Sequence, residues 1–369
     1  MIVLLIGAII VLLYVIIAYI YNKFWNYNLK ADIYLPKTDA YEGDLTQLVE
    51  ILVNDKYLPL PTVEIDFNLD KGLRFLNNQN STVSDKLYRR DVFSAGMKRK
   101  VTRTLDLYCL RRGYYTLDSL GMMGKDIFMQ QRYLDTKKFF EELYVYPRKV
   151  NSQKILIPYT KIMGEVLSRQ KLYEDPFEFA GIRDYQITDP MKFVNWKASA
   201  KSSKLVVNMF DTSLAQNLTI VLDTFDNMKI MDEELNEESI RIVSGLVEKF
   251  LSQGMNLTIL GNAHDKITGK TLNLTQISGL ATKQVRQNLA KLVLGEEKPI
   301  ESLFSEIAKD DLVVVVSKNT DIGDTLDTLN NDIVWVVPYK FDRVELAKKK
   351  YNTVLWEYET PEINKAVKV

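Results

Sequence analysis

The residues that could carry chemistry are concentrated between about residues 173 and 211, a segment dense in Arg, Asp, Trp, Gly and Ser. Arg183 could bind an anion, with Asp189 orienting its guanidinium and Trp196 offering a flat contact surface. A structural alternative is a cluster of ion pairs and stacked rings that joins two domains. The segment therefore predicts either a docking surface or a domain junction.

The chain lacks the residues that several enzyme classes require. His264 is the only histidine and Cys109 the only cysteine, and no Gly-x-Ser-x-Gly elbow is present, which excludes a serine hydrolase triad and a His/Cys zinc site. Gly269-Lys270-Thr271 imitates the end of a phosphate-binding loop, but His264 occupies the required earlier glycine position. We expect His264 in a loop, and no spacing among the acids selects a catalytic pair.

Charge and cysteine content limit the partners and the compartment. Lys plus Arg and Asp plus Glu each number 48, so the formal net charge is zero and no nucleic-acid partner is expected. A single cysteine excludes an internal disulfide and is typical of a reducing compartment.

The first 22 residues contain no charged side chain and are mostly Ile, Leu, Val, Ala and Tyr. At about 1.5 Å per residue, twenty such residues span about 30 Å, the thickness of the hydrocarbon core of a bilayer. We predict a single-pass transmembrane helix at 1–22. Lys23 and Lys30 follow it, which favours a cell-membrane protein whose body lies in the cytoplasm. A cleaved signal peptide is the alternative, but its basic start and small-residue cleavage site are missing.

Two folded domains are expected after this helix. Short alternating runs separated by turn residues predict a β-sandwich of about seven strands at 31–150. Apolar runs at 218–222, 257–260, 312–316 and 333–337 predict buried parallel strands of an α/β domain at 217–340, with helices at about 237–252 and around 285–293 between them. The remaining residues form a connector at 151–216 and a C-terminal extension at 341–369.

The connector carries the most specific pattern. The chain reads Glu178-Phe179-Ala180-Gly181-Ile182-Arg183-Asp184-Tyr185, then Asp189-Pro190, then Val194-Asn195-Trp196-Lys197-Ala198-Ser199-Ala200-Lys201. This order resembles the signature of the bacterial family called domain of unknown function 58, with Lys201 where arginine is usual. Arg111-Arg112-Gly113-Tyr114-Tyr115 and Val145-Tyr146-Pro147 upstream resemble its β domain, so the resemblance covers most of the chain.

The resemblance implies a von Willebrand A-like (Rossmann-type) α/β domain. Such a domain binds a metal through Asp-x-Ser-x-Ser, whose carboxylate and hydroxyl oxygens suit Mg²⁺. Here the loop is Asp223-Thr224-Phe225-Asp226-Asn227, with Phe225 and Asn227 at the serine positions. We therefore expect a degenerate site at Asp223 and Asn227, with no magnesium and no other cofactor.

The family also implies a partner, since its members work with MoxR-type AAA+ ATPases. We expect a non-catalytic adaptor, tethered to the lipid bilayer, that helps such an ATPase assemble or mature a membrane or envelope complex. The residues carried over as binding candidates are Gly181, Arg183, Tyr185, Asp189, Trp196, Ser199 and Lys201. Two alternatives stay open: a metal-dependent ligand-binding protein using Asp223, and a carboxylate-based hydrolase of envelope precursors.

Overall fold

The computed structural model describes residues 2–77, 79–172, 179–187, 189–210, 217–226, 232–295, 297–340 and 352–358. The described chain forms two compact units. The first contains residues up to 149 together with 286–292, and the second contains residues 150–285 and those from 293 onward.

Helix α1 (Ile2–Phe24) begins the first unit. Among the helices of the described residues, it is the one that is long and apolar enough to cross a membrane. It extends two residues past the predicted end at residue 22. Its final turns pack against the domain that follows, because Tyr21 and Trp25 are 3% and 5% exposed in the hydrophobic core. The Tyr21 hydroxyl donates to the Pro59 carbonyl at 2.8 Å, and Trp25 stacks on Tyr133 with ring centroids 5.9 Å apart.

Ten strands follow and form a β-sandwich, which confirms the predicted fold of this region. The strands are β1 (Leu29–Tyr34), β2 (Asp39–Tyr41), β3 (Leu45–Asn54), β4 (Leu60–Leu69), β5 (Leu73–Phe75), β6 (Ser81–Val83), β7 (Leu87–Ala95), β8 (Arg99–Cys109), β9 (Gly113–Lys125) and β10 (Arg132–Tyr146). One sheet has the order β1-β3-β8-β5 and the other β2-β10-β9-β4-β7-β6. The prediction of about seven strands was too low, since β2, β5 and β6 have three residues each and are too short to show an alternating pattern.

The second unit begins with helix α2 (Ser152–Leu172), then a two-stranded hairpin, β11 (Phe179–Asp184) and β12 (Val206–Phe210), with helix α3 (Trp196–Ser202) between its strands. These elements lie in the predicted connector. Helix α2 was not predicted, because Pro158 interrupts the helical pattern after its first turns. Its buried positions, Ile155, Ile162 and Val166, lie on one side at spacings of seven and four.

A seven-stranded sheet follows, most of it in this unit, while residues 286–292 belong to the first unit. Its strands are β13 (Leu218–Asp223), β14 (Leu257–Asp265), β15 (Thr271–Ile277), β16 (Leu292–Val293), β17 (Leu312–Ser317), β18 (Ile333–Tyr339) and β19 (Asn352–Glu357), and its helices are α4 (Glu233–Ser252), α5 (Thr282–Lys291) and α6 (Gly323–Leu326). The order is β15-β14-β13-β17-β18-β19, with β16 paired to β14. Strands β13, β14, β17, β18 and β19 are parallel and β15 is antiparallel. Helix α4 covers one face of the sheet.

Three predictions in this unit need correction. Val293 was predicted to be helical, but α5 ends at Lys291 and residues 292–293 pair with β14. His264 lies within β14 and pairs with Thr271, because the turn at Gly269 folds β15 back along it. The sheet also continues past residue 340, since β19 pairs in parallel with β18 inside the predicted C-terminal extension.

Candidate functional site

Residues 179–187 and 189–210 form a small folded element, here called the signature module, that contains all seven residues of the predicted binding set. Its frame is the β11–β12 hairpin, and Asn195 attaches helix α3 to it. The Asn195 side chain accepts from Ala198 N at 2.9 Å as the helix N-cap and donates to Asn208 Oδ1 at 2.7 Å. Its own backbone N–H donates to Val206 O at 2.9 Å. One asparagine therefore fixes both the start and the position of α3.

Ser199, predicted from the sequence as a binding residue, supports the structure of this module. Its side chain is buried, and its hydroxyl accepts from Val206 N at 2.9 Å and lies 3.4 Å from Val206 O. Because β12 begins at Val206, this serine supplies a hydrogen bond that the end of the strand would otherwise lack. The hydroxyl is committed inside the module and does not face a ligand.

Arg183 and Asp189 form a bidentate ion pair, as the predicted orienting role requires. The two guanidinium nitrogens Nη1 and Nη2 each donate to one carboxylate oxygen at 2.7 Å. Asp189 also accepts from Gln186 N at 2.8 Å. The hydrogen bonds from Arg183, then that from Gln186, hold the pKa of Asp189 below its ordinary value. Arg183 remains partly exposed on the outer side of the pair.

Gly181 and Tyr185 contribute to the module through their backbones. The β11–β12 pairing shifts register between Phe179 and Gly181, which marks a bulge, and a Cβ built on Gly181 would meet no atom within 4 Å. Tyr185 donates its backbone N–H to Leu205 O at 2.9 Å, and its side chain is partly buried. The structure shows no steric requirement for glycine at position 181.

The module presents an exposed surface that is both apolar and basic. Trp196 is 62% exposed at the start of α3, and Ile187 and Met191 are 95% and 53% exposed in the preceding segment. Lys197 and Lys201 are also exposed and lie on one side of α3, four residues apart. Residues 179–210 contain five basic and two acidic side chains, a net charge of +3 in a chain whose total is zero. Tryptophan and methionine are enriched at protein-binding surfaces.

The second predicted site lies at the C-terminal end of β13, beside the point where the strand order reverses. Asp223 is fully buried and receives four hydrogen bonds, from Phe225 N at 3.1 Å, Asn262 Nδ2 at 2.7 Å, Ser317 Oγ at 2.6 Å and Asn319 Nδ2 at 3.1 Å. Burial raises the pKa of Asp223, and these four hydrogen bonds oppose the rise. Both carboxylate oxygens are therefore used within the protein.

The rest of this loop is held in a similar way. Thr224 donates its hydroxyl to Asn262 Oδ1 at 3.1 Å, and Asp226 pairs with the nearly buried ammonium of Lys318 at 2.7 Å. Asn227 lies outside the described residues. Within the described ranges, no three His, Cys, Asp or Glu side chains come together as a metal-binding group. The groups that face Asp223 donate hydrogen bonds to both of its oxygens, so neither oxygen is left open to a cation in this structure.

A buried charged cluster in the β-sandwich was not anticipated from the sequence. Arg89 and Asp91 face inward from β7, Glu50 faces inward from β3, and Arg103 of β8 donates to Asp91 at 2.7 Å. Arg89 donates to both oxygens of Asp91. Burial, followed by the Asp91 charge, raises the pKa of Glu50 to about 8. The signal was present in the alternation, since Leu48-x-Glu50-x-Leu52 places an acid among inward-facing leucines.

Comparisons with known proteins identify few relatives. No protein-family model matches this chain. The uncharacterized protein YeaD of Bacillus subtilis is 24% identical over 235 residues, which are 60% of this chain and 52% of that protein. The chain thus spans about half the length of this curated relative.

Solved structures also match in part. A CARDB domain from Pyrococcus furiosus, in complex with di-metal ions, is 15% identical, covers 32% of this chain and 91% of its own, and has a TM-score of 0.21. A non-cellulosomal cohesin from Archaeoglobus fulgidus is 14% identical, covers 31% of this chain and 91% of its own, and has a TM-score of 0.21.

Proposed function

We propose that this protein is a membrane-tethered, non-catalytic adaptor whose signature module binds a MoxR-type AAA+ ATPase. The observation that carries the proposal is the exposure of Trp196 on a helix whose position is fixed by Asn195 and Ser199. An indole held open to solvent on an ordered support loses little entropy on binding and buries a large apolar area. Lys197 and Lys201 beside it favour an acidic surface on the partner.

The family assignment belongs to the same proposal. The resemblance to domain of unknown function 58 is supported by the way its signature residues fold into one module rather than scattering over the chain. The α/β sheet supports a von Willebrand A-like identity, since Asp223 lies at the reversal of strand order where this class of sheet binds ligands. We propose that in this member hydrogen bonds replace the metal at Asp223.

The membrane anchor has structural support beyond its composition. Tyr21 of α1 is built into the sandwich core and donates to the Pro59 carbonyl, so removal of α1 as a signal peptide would expose the core surface beneath it. We propose that α1 is retained as a single-pass anchor. Lys23 and Lys30 at its C-terminal end favour a cytoplasmic body, where an AAA+ ATPase and its ATP are found.

The test is co-purification of the full chain from detergent with a MoxR-type ATPase from the same cells, with and without ATP. We expect Trp196→Ala to lower the recovered ATPase at least several-fold. Phe140→Ala is the matched control, because Phe140 is 64% exposed but lies on β10 of the sandwich. Equal recovery of the ATPase by wild type and Trp196→Ala would remove the module from the interface. Absence of any ATPase from the wild-type eluate would contradict the adaptor function itself.

One pair of carboxylates beside a cavity in the sandwich bears on the hydrolase alternative. Asp91 and Asp106 line a cavity of about 510 Å³ in the sandwich, together with Arg89 and Arg103. Both oxygens of Asp91 accept from Arg89, and Asp91 also accepts from Arg103. Asp91 is taken up by ion pairs with two guanidiniums, so the geometry does not present it with Asp106 as the free acid and base that hydrolysis requires.

A further inference from the structure

The turn between β9 and β10, residues 126–131, projects apolar side chains away from the sandwich. Ile127, Phe128 and Met129 are 53%, 43% and 61% exposed, and Leu134, at the start of β10, is 78% exposed. The turn is ordered from within, since Asp126 Oδ1 accepts from Gln130 N at 2.8 Å and from Gln131 N at 3.1 Å. Three consecutive apolar residues are thus held outward by a buried aspartate rather than folded back into the core.

This turn lies against the apolar helix α1. The Tyr14 ring is 5.1 Å from the Phe128 ring, and the Tyr14 hydroxyl donates to Gln130 Oε1 at 3.1 Å. Residues Tyr14, Ile17 and Tyr21 of α1, continued by Trp25 just after the helix, pack on the sandwich. Their spacing of three and four residues is that of one side of a helix.

The position of this contact along α1 decides what surrounds the turn. Residues 2–13 are exposed, and at about 1.5 Å per residue they extend only about 18 Å. The apolar run of α1 does not stop there but continues through Ile20, and the whole run matches the bilayer's hydrocarbon core of about 30 Å. A bilayer that takes up this run extends along α1 past Tyr14, which places it beside the turn.

Two neighbouring loops have the composition of a membrane interface. Strand pairing puts them at the same end of the sandwich as the turn, since Leu60 lies opposite Ala95 and Thr62 lies opposite Lys125. Tyr57 and Met97 in these loops are 77% and 57% exposed. The ammonium of Lys98 lies 5.3 Å from the centre of the Tyr57 ring. Aromatic rings beside lysines are typical of the level of the lipid headgroups.

We propose that residues 127–129 are inserted in the bilayer beside α1, so that the sandwich is seated on the membrane by two elements. The inference rests on the proposed transmembrane anchor. We assign the bilayer to the exposed surface of the turn because this surface is continuous with the apolar surface of α1 through Tyr14 and Phe128. Two attachments would fix the orientation of the sandwich relative to the membrane more firmly than α1 alone.

The test measures the depth of a probe in vesicles. Single cysteines are placed by Ile127→Cys and Met129→Cys, labelled with the fluorophore NBD, and the full chain is reconstituted in phosphatidylcholine and phosphatidylglycerol. Native Cys109 contributes little background, because it is fully buried and its pKa is raised to about 12. Val83→Cys is the matched control, since Val83 is 65% exposed on β6. It lies opposite Leu87 at the start of β7, whereas the proposed membrane-facing loops lie at the end of β7. Leu5→Cys reports on α1 itself.

Doxyl-labelled lipids then separate the outcomes. We expect quenching at positions 127 and 129 to exceed that at position 83 several-fold, with a blue-shifted NBD emission only at 5, 127 and 129. Quenching at position 5 with none above the Val83 level at 127 and 129 would overturn the insertion of the turn and leave the anchor intact. Absence of quenching at position 5 would overturn the anchor and, with it, the premise of this inference.

Discussion

The guanidinium of Arg183 and the carboxylate of Asp189, six residues apart, face each other with two parallel hydrogen bonds of 2.7 Å. This pair closes the loop that leads from β11 toward α3. It links the end of β11 to Asp189, with Gln186 N donating to the same carboxylate.

Asp189→Asn should loosen this loop, since an amide cannot accept both hydrogen bonds from the guanidinium. We expect trypsin to cleave after Arg183 several-fold faster than in wild type, as read by mass spectrometry of timed digests. Asp118→Asn, an exposed aspartate on β9 away from the cleaved bond, is the control and should digest like wild type. Because the pKa of Asp189 is lowered in the folded state, the ion pair stabilises the folded loop fully above pH 3.8, the pKa of the unfolded state. This stabilisation is lost as the pH falls through the lower pKa of the folded state. Equal cleavage rates in the two variants would contradict the role of the pair.

Ser199→Ala should destabilise the module while Trp196→Ala should not. The alanine removes the acceptor for Val206 N, and a buried N–H without a partner costs about 1–3 kcal/mol. Trp196 is 62% exposed, and a surface substitution changes stability by about 0.5 kcal/mol or less. Amide hydrogen exchange at Val206 measures both effects, with faster exchange in Ser199→Ala only. Equal protection in Ser199→Ala and wild type would mean that the serine does not support the strand.

Glu50→Gln should remove a pH dependence of stability in the sandwich. The pKa of Glu50 is raised from 4.5 to about 8, so the folded state binds this proton more tightly than the unfolded state. The stabilisation by the protonated Glu50 carboxyl is complete below about pH 4.5, the pKa of the unfolded state. It declines as the pH rises through about 8, the pKa of the folded state, by on the order of a few kcal/mol in total. Thermal unfolding from pH 5 to 9 should show a falling midpoint for wild type and a flatter profile for Glu50→Gln. Parallel profiles would show that Glu50 titrates at its ordinary pKa.

Asp223→Asn should destabilise the α/β domain, because the amide nitrogen would point at groups that already donate, such as Asn262 Nδ2 or Asn319 Nδ2. The loss of acceptors for buried donors costs about 1–3 kcal/mol. Millimolar magnesium should leave the thermal midpoint of wild type unchanged, since the carboxylate oxygens are occupied. A rise in the midpoint with magnesium, absent in Asp223→Asn, would instead support the metal-dependent alternative. Differential scanning calorimetry measures both.

Much of the fold could be predicted because its signals are local. The charge-free run at the N-terminus predicted α1, and the apolar runs from residue 218 onward predicted β13, β14, β17 and β18 at their observed places. Strand β19 was missed, since Val354 and Trp356 alternate with partly exposed residues in a run of only six. The inward charges of the sandwich were overlooked because their cost is visible only when partners from other strands are known.

In the candidate site, too, the local features were predictable from the sequence and the contacts between distant residues were not. Sequence alone determined the residue types of the signature module and their order, including Arg183 and Asp189, which are close enough in the chain to pair. Only the tertiary structure decided that Ser199 turns inward to Val206 while Trp196 turns outward. It also decided that Asp223 is satisfied by Asn262, Ser317 and Asn319, up to 96 residues away. Hydrogen bonds between distant residues form only after the sheet has brought strand ends together, so no local pattern in the chain specifies them.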